Sequence, residues 1–203
     1  MKTSKEKMIA GELFLDKQGE LFKERQHAKL ILHQFNQMDP TRVKARHQLL
    51  KPLLGQTNGR FYIEPPFRCD YGYNIELGEN FYANFNLTIL DGAAVVIGND
   101  VMIAPNVSIF TAGHPIDPVT RTAGWEFSKP IKIHDRVWIG GNTVINPGVT
   151  IGENSVIGAG SVVTKDIPAN VVAVGNPCKV LREINENDKK YFYKTEPFPE
   201  LDF

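Results

Sequence analysis

The sequence predicts a mainly β fold, a parallel β-helix in which short strands stack in coils, and two repeating features indicate it. An aliphatic residue recurs at every sixth position through one stretch of the chain: Ile133, Ile139, Ile145, Ile151, Ile157 and Val163. Helices repeat about every 3.6 residues and strands about every 2, so a six-residue period indicates a solenoid. Glycine also marks expected coil corners, where backbone without a Cβ atom is needed: Gly78, Gly98, Gly140, Gly152 and Gly158.

The solenoid is assigned to residues 61–182, because the six-residue pattern also runs upstream through Leu77, Ala83 and Ile89. One interruption falls at residues 111–130, where Gly, Pro and Asp replace the repeat. A coil can extrude such a loop without disturbing its neighbours, and loops on rigid scaffolds often carry function.

Residues 1–60 are predicted to form a helical N-terminal domain. A capping box of Thr3 and Glu6 begins a first helix that ends near Phe14. An Asp-Pro pair at 39–40 begins a third helix. Between them, an amphipathic stripe predicts the second helix: Leu21, Arg25, Ala28, Leu32 and Phe35.

Residues 183–203 are predicted to form a short C-terminal helix and a tail. The open end of a β-helix exposes a sheet edge, so we expect this helix to cover the last coil.

Composition excludes several classes of protein. The chain has 203 residues, and 23 Lys and Arg balance 23 Asp and Glu, which argues against binding to nucleic acid or an anionic membrane. Cys69 and Cys178 lack CxxC spacing and are read as reduced thiols. No signal peptide or membrane span is recognisable. We therefore expect a cytoplasmic protein.

His114 is the strongest catalytic candidate among the five histidines, because it lies in the interrupting loop between Gly113 and Pro115. An imidazole can accept a proton near neutral pH, which acyl transfer to an alcohol requires. His114 and His134 are the only histidines in the predicted solenoid. A zinc site needs about three protein ligands, so no metal is expected. The sequence has no Gly-x-Ser-x-Gly elbow and no Cys with a nearby His, so no motif indicates a covalent intermediate. Direct transfer is the option that remains.

Four stretches of the solenoid resemble the sugar O-acetyltransferases of the hexapeptide-repeat superfamily, which include maltose, galactoside and nodulation-type enzymes. They are CDYGYNIELGENFYANFN (69–86), TAGHPIDPVTR (111–121), WIGGNTVINPGVTIGENSVIGAGSVVTKDIP (138–168) and AVGNPCKVLREI (173–184). The N-terminal stretches EKMIAGELFLD and KLILHQFN resemble the N-terminal domain of the same family. The resemblance covers nearly the whole chain.

The resemblance implies a left-handed β-helix and a homotrimer with active sites between neighbouring subunits. It implies that the enzyme transfers acetyl from acetyl-CoA directly to a sugar hydroxyl in a ternary complex. His114 is implied as the general base that deprotonates the hydroxyl, and Asn84 as a donor to the developing oxyanion.

Acceptor-binding positions of the family match four residues of this chain, and carboxylates suit sugars because they accept hydrogen bonds from neighbouring hydroxyls. Asp70 and Glu126 resemble maltose-type members, whereas Gly92 departs from the galactoside-type pattern, which has a second acidic residue there. These four residues are Asp16, Asp70, Asp91 and Gly92. We add Tyr82 as an aromatic wall, and Glu126 in the loop either to bind the acceptor or to orient His114.

Cofactor-binding positions of the family match seven residues. Small residues would let the pantetheine arm of coenzyme A lie close to the coils, and cationic side chains would meet its phosphates. The implied residues are Trp138, Gly141, Ala159, Thr164, Lys165, Lys179 and Arg182.

Two other functions stay open at this point. One is an acetyltransferase for another hydroxyl or amino acceptor, such as an antibiotic, an amino sugar or a cell-wall precursor. The other is a non-catalytic hexapeptide scaffold that only binds a ligand or partner.

Overall fold

The computed structural model describes residues 2–16 and 19–200 of the chain. Three helices precede a series of short strands, and 3-10 helices lie at Lys51–Leu53 and Glu186–Lys189. In chain order the elements are α1 (Ser4–Ile9), α2 (Glu20–Gln37), α3 (Val43–Leu50), β1 (Gln56–Thr57), β2 (Phe61–Ile63), β3 (Arg68–Cys69), β4 (Ile75–Leu77), β5 (Phe81–Ala83), β6 (Thr88–Leu90), β7 (Val95–Ile97), β8 (Met102–Ile103), β9 (Ser108–Phe110), β10 (Ala112–Gly113), α4 (Pro118–Thr122), β11 (Phe127–Ser128), β12 (Ile131–Ile133), β13 (Trp138–Ile139), β14 (Val144–Ile145), β15 (Thr150–Ile151), β16 (Val156–Ile157), β17 (Val162–Val163), β18 (Val171–Val174), β19 (Lys179–Glu183), β20 (Tyr191–Tyr193) and β21 (Glu196–Pro197).

The coils build three parallel sheets, which are the three faces of the solenoid. The first sheet has the order β1-β4-β7-β12-β15, and the third has the order β17-β14-β9-β6-β3. The second sheet runs β2-β5-β8-β13-β16-β18, with β19 added at its edge. Since β1 pairs with β4, the sheets begin before residue 61.

The predicted six-residue period corresponds to the interior of this solenoid. Most strands of the coils turn an aliphatic side chain inward, and residues in register stack on one another, as Ile109 does on Ile145 and Ile145 on Val163. These three side chains are fully buried. Burial of one aliphatic side chain contributes about 1.5–3 kcal/mol, so the repeat itself is the main source of stability.

Asparagine forms the corners between strands, a feature that the sequence analysis did not use. Asn tolerates left-handed backbone, and its side chain can bond along a column of corners. Asn86 Nδ2 donates to Asn106 Oδ1 at 2.9 Å, and Asn154 Nδ2 donates to Asn170 Oδ1 at 2.7 Å. Eight corner residues have φ between 55° and 64°: Asn80, Asn86, Asp100, Asn106, Arg136, Asn142, Asn154 and Asn170.

The predicted reason for glycine at corners holds at Gly140. A Cβ atom there would lie 2.5 Å from the backbone nitrogen of Ala159 in the next coil. Any side chain at this position would therefore push the two coils apart.

The helical segment closes the first end of the solenoid. The predicted stripe of α2 is confirmed, because Ala28, Leu32 and Phe35 are buried in the same core as the coils. The first helix ends at Ile9 rather than near Phe14, since Phe14 instead forms a β-bridge. The third helix begins at Val43, after Asp39 has accepted hydrogen bonds from Thr41.

The predicted regular C-terminal helix is wrong. Lys179–Glu183 forms β19, which pairs antiparallel with β18 and crosses the expected boundary at residue 182. The edge of β18 needs main-chain partners, and a strand supplies them where a helix does not. Within residues 183–200, helical structure is limited to the 3-10 helix Glu186–Lys189, and β20 and β21 then form a hairpin.

Among the described helices, none has the length and apolar character needed to cross a bilayer.

Candidate active site

The extruded loop is fixed to the N-terminal segment. Strands β10 and β11 form its antiparallel base, and α4 lies near its tip. Phe14 N donates to the Glu126 carbonyl at 2.9 Å, and Glu126 N donates to the Phe14 carbonyl at 3.0 Å. The loop is therefore a second layer over the edge between the third and first sheets.

His114 begins the exposed part of this loop directly after β10. Its Nδ1 lies 3.1 Å from the Trp125 carbonyl oxygen. A carbonyl can only accept a hydrogen bond, so this contact places the proton on Nδ1. The lone pair of Nε2 is then free, which is the tautomer that a general base needs.

Three carboxylates and one guanidinium lie beside this loop. Asp16 accepts hydrogen bonds from the backbone nitrogens of Gly19 and Phe22, both at 3.1 Å, so it holds the start of α2. Arg25 Nη2 lies 3.8 Å from Asp16 Oδ2. Asp70 and Glu126 complete the group, because both act electrostatically on neighbours in it.

Arg25 is the site residue that the sequence analysis missed as a functional group. It was assigned only to the stripe of α2. The structure makes it half-buried, with Nη1 donating to the Tyr71 hydroxyl at 2.7 Å. The signal that would have identified it is an arginine on the inward stripe of an amphipathic helix, because such positions are normally apolar.

The carboxyl group of Asp70 has a raised pKa. Burial raises the pKa of its carboxyl group, and the nearby Glu126 charge raises the pKa further, while Arg25 and Lys29 oppose the shift. A partly desolvated carboxylate of this kind gains from hydroxyl donors, which restore the hydrogen bonds that it lost from water.

Asp91 points inward and does not face the acceptor side directly. Oδ1 accepts from the backbone nitrogens of Asp70 at 3.0 Å and Tyr71 at 2.9 Å, and Oδ2 accepts from Gly72 at 2.7 Å. Burial raises the pKa of this carboxyl group to about 6, although these backbone donors pull the pKa down. The Asp91 carboxylate therefore holds the turn that carries Asp70 and is not exposed to a sugar acceptor.

Gly92 is also buried, and a Cβ atom at this position would lie 2.3 Å from Ser128 Oγ. The base of the loop thus occupies the space that a larger residue would need.

Asn84 belongs to a different part of the solenoid, at the corner after β5. Its Oδ1 accepts a hydrogen bond from the backbone nitrogen of Phe85 at 2.7 Å. This contact fixes the side-chain amide, and both hydrogens of Nδ2 can then donate outward. Such a fixed donor is the geometry expected of an oxyanion site.

A row of outward side chains leads away from Asn84 along the second sheet. Tyr82 is in register with Met102, Met102 with Trp138, and Trp138 with Val156. Met102 and Trp138 are 53% and 50% exposed, which is unusual for large apolar side chains in contact with one another. The row continues through Val172 to Arg182 on β19.

The small residues predicted for the cofactor flank this row. Gly141 and Ala159 lie at stacked corners after β13 and β16, and Gly160 N donates to the Gly141 carbonyl at 2.8 Å. Ala159 is exposed, so neither corner carries a side chain that would block a ligand.

The predicted phosphate contacts and the predicted cofactor residue Thr164 lie at the far end of the solenoid and are exposed; the phosphate contacts are Lys165, Lys179 and Arg182. Arg182 already has a partner, since Nη1 and Nη2 each lie 2.7 Å from an oxygen of Asp188. That bidentate contact raises the pKa of Arg182 and lowers the pKa of Asp188 to about 2.

One chain does not bring its two sets of residues together. His114, Asp70 and Glu126 lie at the edge between the third and first sheets, because the loop joins β9 to β12. Trp138 lies on the second sheet, and Asn84 lies at the corner between the second and third sheets. The third sheet stands between them.

Across residues 2–16 and 19–200, no group of three or more His, Cys, Asp and Glu side chains is arranged to hold a metal ion.

Comparison with known proteins identifies the family of the chain. Residues 7–59 match the family model of the maltose acetyltransferase hexapeptide capping motif, and residues 130–165 match that of the bacterial transferase hexapeptide. The chain is 51% identical to the galactoside O-acetyltransferase of Escherichia coli over 189 residues, which cover 93% of each protein.

Two solved structures are similar over their whole length. A galactoside acetyltransferase in complex with coenzyme A superposes with a TM-score of 0.94 at 48% identity, covering 98% of this chain and 100% of that one. A maltose O-acetyltransferase from Clostridium difficile superposes with a TM-score of 0.89 at 50% identity, covering 91% and 99%. The predicted fold class, a left-handed parallel β-helix with a helical N-terminal segment, is confirmed. The chain therefore belongs to the galactoside and maltose O-acetyltransferase family of hexapeptide-repeat acyltransferases.

Proposed function

We propose that this protein transfers an acetyl group from acetyl-CoA directly to a hydroxyl of a neutral sugar. The observation that carries the proposal is the contact between His114 Nδ1 and the Trp125 carbonyl, which leaves Nε2 free in the same loop that brings Glu126 near Asp70. A base next to hydroxyl-binding groups is what O-acetylation of a sugar requires.

The chemistry can be assigned to named atoms. His114 Nε2 takes the proton of the acceptor hydroxyl while that oxygen attacks the thioester carbonyl carbon. Asn84 Nδ2 donates to the carbonyl oxygen as it becomes negative. When the carbon–sulfur bond breaks, the imidazolium returns the proton to the departing sulfur, so the enzyme ends as it began.

The acceptor is recognised by hydroxyl-binding groups. Asp70, Asp16 and Glu126 accept hydrogen bonds from sugar hydroxyls, and Arg25 donates to a hydroxyl oxygen. Tyr82 supplies an apolar wall. Its ring is parallel to that of Tyr62, and the two ring centroids are 6.1 Å apart. Gly92 is buried beneath the base of the loop, so no contact with the acceptor is assigned to it.

Acetyl-CoA lies along the outward row of the second sheet. From Tyr82 to Arg182 there are five strand spacings of about 4.8 Å, or about 24 Å, which suits an extended pantetheine arm. Trp138 packs against the pantetheine arm. The amides of the arm pair with the protein backbone at the Gly141 and Ala159 corners. Four residues face the phosphates: Thr164, Lys165, Lys179 and Arg182.

The complete site forms between two subunits of a homotrimer. Support comes from the separation of His114 and Asn84 on one chain, because each needs the other and a second copy can bring them together. Such head-to-tail contacts close into rings when the rotation permits. Acetyl-CoA as donor, together with the free thiols of Cys69 and Cys178, favours a location in the cytoplasm.

The test is release of free coenzyme A from acetyl-CoA in the presence of single acceptors. We expect turnover with maltose, glucose or a galactoside, and mass spectrometry should find one acetyl group added to the sugar. Faster turnover with an aminoglycoside or an amino sugar would replace the proposed acceptor class. Absence of turnover with every acceptor would favour the scaffold function.

Replacing Asp70 by Ala should raise the acceptor KM about tenfold or more and leave the KM for acetyl-CoA nearly unchanged. A hydrogen bond to a charged group contributes about 1.5–3 kcal/mol, and none of that reaches the thioester. Steady-state kinetics with each substrate varied in turn would measure the two constants. Glu153→Ala, which removes a corner carboxylate that is 51% exposed, serves as the control. A selective loss of acetyl-CoA affinity in the Asp70 variant would contradict this assignment.

A further inference from the structure

An apolar groove of about 560 Å³ lies on the second sheet, between α3 and strands β2 and β5. Its floor is formed by Phe61, Tyr62 and Phe81, and its rim by Val43. Tyr82 also lines it, so the groove is continuous with the proposed acceptor wall.

The groove contains a cation whose hydrogen bonding is incomplete. Arg46 is 4% exposed, and its Nη2 donates to the Tyr62 hydroxyl at 3.0 Å. Its Nη1 lies 3.9 Å from Glu64 Oε2, which is beyond hydrogen-bond distance. Within the described part of the chain, no acceptor reaches Nη1. Lys44 and Arg60 add two more positive charges to the lining.

The tip of the extruded loop has the complementary character. Ile116 is 93% exposed and Val119 is 75% exposed, which leaves two aliphatic side chains without apolar contact in one chain. Asp117 lies between them and caps α4 by accepting a hydrogen bond from Thr120 N at 2.8 Å. The tip therefore presents two apolar side chains and one negative charge.

We propose that Ile116 and Val119 of one subunit dock into this groove of the neighbouring subunit, with Asp117 facing Arg46. This inference rests on the proposed function, since it needs the trimer. It explains how the site is assembled. Ile116 is two residues after His114, so anchoring the tip beside Tyr82 fixes His114 next to the neighbour's Asn84.

The position of the loop along the solenoid axis supports this contact. Gly124 packs close to Leu15, and Glu126 pairs with Phe14, so the loop lies at the level of the helical end. The groove is at the same level, because β2 and β5 belong to the first coils. Subunits with their solenoid axes side by side would bring the two surfaces to equal height.

Cross-linking of paired cysteines tests the contact without any substrate. We expect Ile116→Cys combined with Val43→Cys to give covalent dimers and trimers with a short bismaleimide, seen on a denaturing gel. The native Cys69 and Cys178 are only 6% and 7% exposed and should stay unreacted. The matched control pairs Ile116→Cys with Val180→Cys, which is 47% exposed at the other end of the solenoid, against 43% for Val43.

Cross-linking no stronger than in the control would overturn the proposed contact, even in a chain that acetylates sugars. Strong cross-linking in a chain that acetylates no acceptor would leave the contact standing and remove the proposed function. A second variant, Ile116→Asp, should lower turnover at least tenfold with acetyl-CoA binding retained. Unchanged turnover in that variant would also count against docking.

Discussion

His114→Ala should lower turnover by about 100-fold or more, the range typical of losing a general base, while coenzyme A still binds. The Trp125 carbonyl holds Nδ1 of the imidazole, so Nε2 is the ring nitrogen that is left to take the proton, and the alanine variant loses it. Release of coenzyme A measures turnover, and calorimetric titration measures binding of the product coenzyme A.

The matched control for this prediction is His27→Ala, since His27 is an exposed histidine on α2 and should be replaceable without effect. If the His114 variant keeps most of its turnover, the base has been assigned to the wrong residue. Loss of coenzyme A binding in parallel with turnover would indicate a structural defect of the loop.

A mixture of two inactive variants should recover activity. Asn84→Ala should by itself lower turnover by about 10²–10³, as expected for removal of an oxyanion donor. When Asn84→Ala and His114→Ala chains assemble at random in a trimer, about one site in four receives an intact His114 from one chain and an intact Asn84 from the next. The mixture should therefore show about a quarter of the activity of the unmodified enzyme.

The two chains are best produced together, and light scattering should give about three times the chain mass of 22.8 kDa. Mixing the chains after separate assembly is the control, because preformed trimers exchange only if they dissociate. Activity no higher than the sum of the two variants would mean that each site lies within one chain.

The architecture was predictable because its period has a single structural explanation. A six-residue repeat of aliphatic side chains fits short strands that turn at corners, and no helix or long strand satisfies it. The prediction for the C-terminal segment was wrong because its structure depends on a contact that the local sequence does not show. Its local pattern suits a helix, but the unpaired edge of β18 decided the outcome, and that edge exists only after the coils have stacked.

The proposed site was predictable residue by residue, but its arrangement was not. His114 and Asn84 stand in recognisable motifs, whereas their separation by the third sheet follows from strand order. Asp91 and Gly92 form one corner in sequence, and only the fold shows that the Asp91 carboxylate turns inward to three backbone donors. Arg25 was hidden among apolar neighbours in the stripe of α2.

The loop between β9 and β12 adds residues without changing the stacking beneath it. Ile109 and Ile145 remain in register although 36 positions separate them in the sequence, whereas Ile89 and Ile109 are only 20 apart. Natural selection can therefore lengthen, shorten or replace this segment while the coils stay unaltered. New acceptors could be acquired by descendants of such a gene through changes in one insertion, with the binding of acetyl-CoA inherited intact from the repeats.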